Sequence, residues 1–295
     1  MLRILSLAGN DQELDGGALY GHVPRVLWSR WTPPDELGRV RLACRCLLIE
    51  DAGRRILLEA GVGLFFAPHL RERYGIRQPR HVLLDALAAL DLSDADIDVV
   101  VLSHLHFDHV GGLLAPYAAG HPPRLLFPRA RFLVSSSAFE RACSPRVRDR
   151  ASFVPEVPAL LTESGRLVTC ADAVAAEREL GDRFRVHVSE GHTPGMFLVE
   201  VRGQRSRVVF GGDLVPGAPW VHLPVTTGYD RHAELLVEEK EALYRSLGED
   251  GYLFFNHDPN VPLGRVRQNA DGRWECEGLE LAAHGADLDT EALGA

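Results

Sequence analysis

Runs of apolar residues, and the polar residues that interrupt them, divide this chain into strands and helices before any chemistry is considered. Residues 1–10 are mostly apolar and read as a first strand. Residues 40–50 are apolar and rich in branched side chains, Asp51-Ala52-Gly53 supplies a turn, and residues 54–59 return, which predicts a β-hairpin. Residues 97–102 form a continuous apolar run with three successive valines. A strand of that kind is buried on both faces, so helices must cover one side of its sheet and a second sheet the other. Shorter strand patterns fall at Arg131–Ser135, Phe184–Ser189, 197–201, Arg207–Phe210 and 252–255.

Helical spacing appears at 80–90, through Val82, Leu83, Leu84, Leu87 and Leu90, with Ser93 and Asp94 able to cap a short turn after it. Residues 230–247 carry Leu235, Leu236, Ala242, Leu243 and Leu247 on one amphipathic helix. Residues 141–158, rich in proline and charge, read as an exposed loop. Past Cys276 the chain is Gly-, Ala- and Asp-rich, so residues 276–295 read as a loosely held tail. With no internal repeat and no linker, residues 1–275 read as one domain.

Composition narrows the function classes. The 295 residues are 46% hydrophobic and 25% charged, which is ordinary for a folded protein. A net charge of −9 offers no electrostatic footprint for a phosphate backbone, which disfavours nucleic acid as a partner. No apolar run approaches the ~18 residues that a membrane span needs. With no membrane partner and no export signal, the expected location is cytoplasmic. Five scattered cysteines, an odd number, read as buried thiols rather than a disulfide framework.

Chemistry is concentrated after the valine run, in Ser103-His104-Leu105-His106-Phe107-Asp108-His109-Val110-Gly111-Gly112. On an extended strand end, residues two apart share a face, so His104 and His106 can offer ring nitrogens to one cation. A turn then carries Asp108 and His109 toward a second, and Gly111 with Gly112 lets the backbone turn tightly beneath them. One cluster does not close a site for two cations. Three further candidates follow predicted strands: His192 in Glu190-Gly191-His192-Thr193-Pro194-Gly195, Asp213 in Phe210-Gly211-Gly212-Asp213, and His257 in Phe254-Phe255-Asn256-His257-Asp258. A strand running into a polar ligand is how α/β folds gather a site at a sheet edge. Nitrogen and carboxylate donors suit Zn²⁺ best and tolerate Mn²⁺ or Fe²⁺.

This set of motifs, from the hairpin to His257, resembles the metallo-β-lactamase superfamily. The opening stretch 15–24 is similar to its lactonase and methyl-parathion-hydrolase branch. The resemblance implies an α/β fold, a four-layer αβ/βα sandwich of two mixed β-sheets flanked by helices. It implies that His104, His106 and His192 hold one divalent cation, that Asp108, His109 and His257 hold a second, and that Asp213 bridges them. Hydroxide between the cations would attack the substrate, and Asp108 would act catalytically on its proton.

Two positions depart from the family. Glu59, in Leu58-Glu59-Ala60-Gly61, stands where relatives carry an aspartate supporting the site. Pro216 stands where the acyl-homoserine lactonases carry a tyrosine. Trp220, His222 or Tyr229 could replace that phenol, and Tyr20 and His22 of the glycine-rich opening loop are further candidate substrate contacts. His69, His81, His121, His187, His232 and His284 read as surface or structural residues. The expected activity is hydrolysis of a small ester, lactone or related molecule. Phosphotriester hydrolysis is the alternative on the same centre, and an iron-dependent oxidoreductase such as a persulfide dioxygenase is the alternative of another class. The expected partner is a small-molecule substrate; related enzymes often form homodimers.

Overall fold

Alternation within single strands accounts for the layering. In the computed structural model, which describes residues 1–248 and 251–294, Ile56 and Leu58 of strand Arg54–Leu58 join one apolar cluster while Leu57 between them joins another. Val99 and Val101 part from Val100 in the same way. Successive strand side chains point to opposite faces, so strands apolar at every position are covered on both. One cluster lies between two sheets and joins Leu47, Ile49 and Val101 to Phe197, Val199 and Phe254. A second fills the outer face of the first sheet, under Leu83 and Leu87 of helix Val82–Ala88 and Leu161 of helix Val157–Glu163. A third places Leu236 and Leu243 of helix Ala233–Leu247 with Leu198, Val209 and Leu253. The result is helix, sheet, sheet, helix. Each fully buried Leu, Ile or Phe in these layers contributes roughly 1.5–3 kcal/mol.

The first sheet runs in the order Ala286–Asp287, Leu2–Leu7, Cys46–Asp51, Arg54–Leu58, Val99–Val101, Arg131–Ser135, Leu167–Cys170. It is antiparallel as far as Arg54–Leu58 and parallel beyond. The second sheet runs Trp274–Leu279, Leu263–Gln268, Gly251–Phe254, Arg207–Phe210, Met196–Arg202, Phe184–Ser189, with one parallel pair between Arg207–Phe210 and Gly251–Phe254. Both sheets are therefore mixed. Among the described residues no helix is long and apolar enough to cross a membrane.

Three expectations need correction. The first arm of the predicted hairpin is broken: Arg39–Leu42 pairs with Gln12–Asp15, and only Cys46–Asp51 pairs with Arg54–Leu58. Between the two segments, the amides of Ala43 and Arg45 donate to the carbonyls of His257 and Asn256, so this stretch is diverted to the other sheet's site loop. The expected loop 141–158 instead begins inside helix Ser136–Cys143, includes the 3₁₀ turn Arg150–Ser152, and buries Phe153, Val154 and Val157. The tail is also held in place. Trp274–Leu279 pairs with Leu263–Gln268, Ala286–Asp287 pairs with the first strand, and Leu288 is fully buried between these contacts.

Candidate metal centre

Each chemically active side chain leaves the carboxyl end of a strand. Val99–Val101 runs into His104 and His106, and the short helix Phe107–Val110 then presents Asp108 and His109. His192 follows Phe184–Ser189, Asp213 lies in the turn after Arg207–Phe210, and His257 follows Gly251–Phe254. Because the two sheets lie face to face, these ends meet at one edge of the sandwich. Two groups form there: His104, His106, His192 and Asp213, and beside them Asp108, His109 and His257, with the ligand atoms of each group within 4.8 Å of one another.

Asp213 joins the groups with a different oxygen for each. Its Oδ2 lies 3.2 Å from His192 Nε2 and 3.9 Å from His104 Nε2. Its Oδ1 lies 3.2 Å from both His109 Nε2 and His257 Nε2. Asp108 stands 3.8 Å from His109 Nε2 and 3.7 Å from His257 Nε2.

The outward nitrogens fix how the rings are turned. His192 Nδ1 donates to Asp230 Oδ1 at 2.7 Å, and His257 Nδ1 donates to the Ala43 carbonyl at 2.7 Å. His104 Nδ1 lies 2.9 Å from Ser103 Oγ. With Nδ1 held outward as the donor, His192 and His257 turn Nε2 inward. Each inward nitrogen meets another ring: His192 Nε2 is 3.1 Å from His106 Nδ1, and His257 Nε2 is 3.3 Å from His109 Nε2. The Nε2 atoms of His104 and His106 are buried without a hydrogen-bond partner. Buried polar atoms left without partners are costly; a divalent cation in each group would satisfy them, so this donor set fits the metals that the resemblance implies.

Electrostatics split that donor set. Burial pushes the imidazoles of His104 and His106 well below the usual histidine range, which keeps them neutral and able to offer a lone pair to a cation. Burial lowers His109, His192 and His257 as well, but Asp213 and its neighbours outweigh it and raise all three above that range. A cation would displace protons there. Burial would raise Asp213, but His109, His192 and His257 outweigh it and hold the carboxyl well below its ordinary value.

Supporting contacts come from residues with other local jobs. Glu59, buried and held at φ +68, accepts from the Ser103 amide at 2.8 Å and places its other oxygen 3.6 Å from His109 Nδ1. The longer side chain thus reaches both the 103–106 segment and one ring. Asp108 Oδ2 accepts from Gln12 Nε2 at 2.6 Å. The glycine pair answers a need for clearance rather than for a special turn: a Cβ on Gly112 would stand 1.9 Å from the Ala60 carbonyl oxygen, and one on Gly111 2.2 Å from that of Val62.

A cavity of about 210 Å³ opens over the centre, walled by Leu19, Leu42, Phe107 and Trp220, with Arg73 and Tyr229 also lining it. Pro216 lines it as well, where the lactonase phenol was sought. Of the expected substrate contacts, Trp220 and Tyr229 line this cavity. Tyr229 is 41% exposed, while Trp220 is buried and donates its indole N–H to the Leu19 carbonyl at 3.0 Å. Tyr20 does not reach the cavity. It is fully buried, stacked between Trp28 at 5.4 Å and Trp220 at 4.6 Å, with its hydroxyl on Thr32. His22 and His222 are exposed and line no part of it; the His222 carbonyl instead accepts from the buried Lys240 ammonium at 3.2 Å.

Three residues escaped the sequence reading. Asp230 orients His192, Gln12 holds Asp108, and Arg73 stands on the cavity wall. Asp230 carried one signal, its place at the end of Thr227-Gly228-Tyr229-Asp230. Its Oδ2 accepts from the Thr227 amide at 2.6 Å and ties that segment into a turn. The other two carried none.

Comparisons with known proteins agree with the fold. Residues 39–250 match the metallo-beta-lactamase superfamily. Cleavage and polyadenylation specificity factor 73 of Drosophila melanogaster is 26% identical over 244 residues, covering 72% of this chain but only 30% of that protein. A probable metal-dependent hydrolase from Staphylococcus aureus superposes with a TM-score of 0.82 at 23% identity, covering 95% of this chain and 98% of its own. AidC, a dizinc quorum-quenching lactonase solved with a homoserine product, gives 0.75 at 18% identity and covers 95% of both chains.

Proposed function

The chain belongs to the metallo-β-lactamase superfamily, and from that premise we propose that it is a hydrolase acting on a small ester or lactone with two divalent cations, zinc by preference. The observation that carries this reading is Asp213, whose two oxygens each face a different histidine group. When bound, such a pair of cations supplies Lewis acidity and brings the pKa of water toward neutrality. The chain's own residues do the rest. Asp230, Ser103 and the Ala43 carbonyl hold three rings in place, so that little reorganisation accompanies the reaction. Asp108, fixed by Gln12 on the cavity wall, is positioned to take a proton and return it to the leaving oxygen. The Tyr229 phenol lines the same cavity and, protonated like any ordinary phenol at neutral pH, can donate to a substrate oxygen. Apolar walls from Leu19, Leu42, Phe107 and Trp220 limit water around the bond to be cleaved.

A cavity of about 210 Å³ suits a small molecule better than a polymer, and the net charge of −9 opposes a nucleic-acid strand. The relatives include a protein named for cleavage and polyadenylation, so RNA belongs in the test. The purified protein is to be assayed for metal by elemental analysis. It is then offered esters, lactones, phosphotriesters and single-stranded RNA before and after chelation. The reading expects about two divalent cations per chain and chelator-sensitive turnover of an ester or lactone. One iron per chain without hydrolysis, or cleavage of RNA alone, would overturn it.

A further inference from the structure

The cavity over the centre is walled by apolar side chains and floored by acidic and imidazole groups. Among the described residues, one arginine or lysine lines it, Arg73. Arg73 is the last residue of helix Pro68–Arg73 and is exposed at the cavity's edge. Its guanidinium carbon sits 5.9 Å from the centroid of the Tyr74 ring. Tyr74 is itself fixed, stacked on Phe66 at 4.9 Å and against Phe107 at 4.7 Å. A guanidinium near an aromatic face keeps its N–H edge free for a planar oxyanion.

Among the described residues the protein supplies no such anion. Glu13 is taken by Arg77 at 2.7 Å and Arg39 at 3.0 Å, and Asp35 is taken by Arg39 at 2.7 Å. No carboxylate lies within ion-pairing distance of Arg73 among the described residues. Arg39, Arg71 and Arg77 line an adjoining pocket of about 470 Å³ that Arg73 and Glu72 also line, so arginines outnumber carboxylates along this edge. On a chain of net charge −9, this is a local positive edge beside the opening to the centre.

We propose that Arg73 recognises a carboxylate on the substrate, at the end remote from the bond that is hydrolysed. Arg73 is then a specificity residue, and the substrate class narrows to small esters or lactones that carry an acid group. The proposal rests on the hydrolytic reading above but concerns a different end of the substrate. A carboxylate on the guanidinium fork would make two parallel charge-assisted hydrogen bonds at a partly water-exposed site. That should favour an acidic substrate over an uncharged one of equal size by roughly tenfold in KM.

The test uses the metal-loaded protein and a matched pair of substrates, mono-4-nitrophenyl glutarate and 4-nitrophenyl glutaramate, which differ in the remote carboxylate. The wild-type protein should show a KM about tenfold lower for the acid, with similar kcat, and a preference that shrinks as salt is added. R73Q should erase the ratio between the two esters, and R73K should restore part of it; a residue that only packs on Tyr74 would leave the ratio alone. A second readout needs no turnover. Butane-1-sulfonate, a poor zinc ligand, should bind the wild-type protein more tightly than R73Q in calorimetry, while the uncharged butyl methyl sulfone should not distinguish them. If neither ester is cleaved, the hydrolytic reading stands or falls on the wider substrate panel above, and sulfonate binding still decides the role of Arg73. Equal KM values in the wild-type protein, a preference that survives in R73Q, or equal sulfonate binding by both proteins would overturn the proposal.

Discussion

The floor and the edge of the cavity are built by opposite means. On the floor, His104 is 0% and His109 1% exposed, and the rings of His104, His192 and His257 are each held from behind by a neighbouring oxygen. Those rings stand on the ends of core strands whose positions are set by three apolar clusters. At the edge, Arg73 and Tyr229 are exposed side chains at a helix end and in a turn. What the floor does follows from packing that any substrate would meet; what the edge selects follows from single side chains. Substitutions on the floor should therefore cost turnover for every substrate, and those at the edge should change which substrate is preferred.

The largest effect is expected from His106→Ala. It removes a ring from the first group and leaves His192 Nε2 without the neighbour that stands 3.1 Å away. Losing one cation forfeits several kcal/mol of transition-state stabilisation, a fall of about a thousandfold or more in kcat. The metal content should drop while the thermal transition stays cooperative, because the side chain leaves a loop rather than a packed layer. Near-normal turnover in this variant would show that the floor is not the reaction site.

Asp230→Asn tests the support behind the floor. The amide keeps the shape but loses the charge that fixes the His192 proton on Nδ1. Loss of such a supporting carboxylate typically costs about 10–100-fold in metal affinity or activity. Metal affinity measured by competition with a chelator should fall within that range, and equally for every substrate. If affinity is unchanged and only substrate preference moves, Asp230 belongs with the edge, as an anchor of the Tyr229 turn.

The same division explains what could be read from the sequence. His104, His106, Asp108 and His109 fall within six positions after an apolar run, so local spacing shows that they share a site. His192, Asp213 and His257 each close a strand, and the strand pattern marks them. Asp230 lies 38 residues beyond the ring that it orients, and no periodicity encodes that contact. The Tyr20 loop has the composition of an exposed segment, yet Tyr20 is enclosed by Trp28 and Trp220, a stack that exists only after folding. The C-terminal strands were hidden for a different reason. Trp274–Leu279 is an edge strand with charged, exposed positions, and Ala286–Asp287 is too short to carry an alternation. Three of the four layers, by contrast, were legible in a strand apolar on both faces; the helix layer over the second sheet followed only from the family resemblance.

The smallest effect is expected in a third region, which calibrates the other two because it lies in the interior of the second sheet. Glu200, on strand Met196–Arg202, accepts from His187 Nε2 at 3.0 Å and pairs with Arg202 and Arg207 at 3.3 Å each. Burial raises its carboxyl, but the hydrogen bond from His187 and the charges of Arg207 and Arg202 outweigh that and hold it below its ordinary value of 4.5. A folded-state pKa below the unfolded one adds stability above the unfolded pKa, and that stability is lost as pH falls through the folded value. Glu200→Gln should therefore lower Tm by a few degrees near pH 6, corresponding to about 1 kcal/mol. The gap to the wild-type protein should close as the pH falls through the folded-state value, which lies below 4.5, and Glu200 takes up its proton in both states. Turnover and metal content should stay near normal, the reverse of His106→Ala. A gap that never narrows across the acid limb, as far as the protein stays folded, would mean that the substitution acts through packing rather than charge.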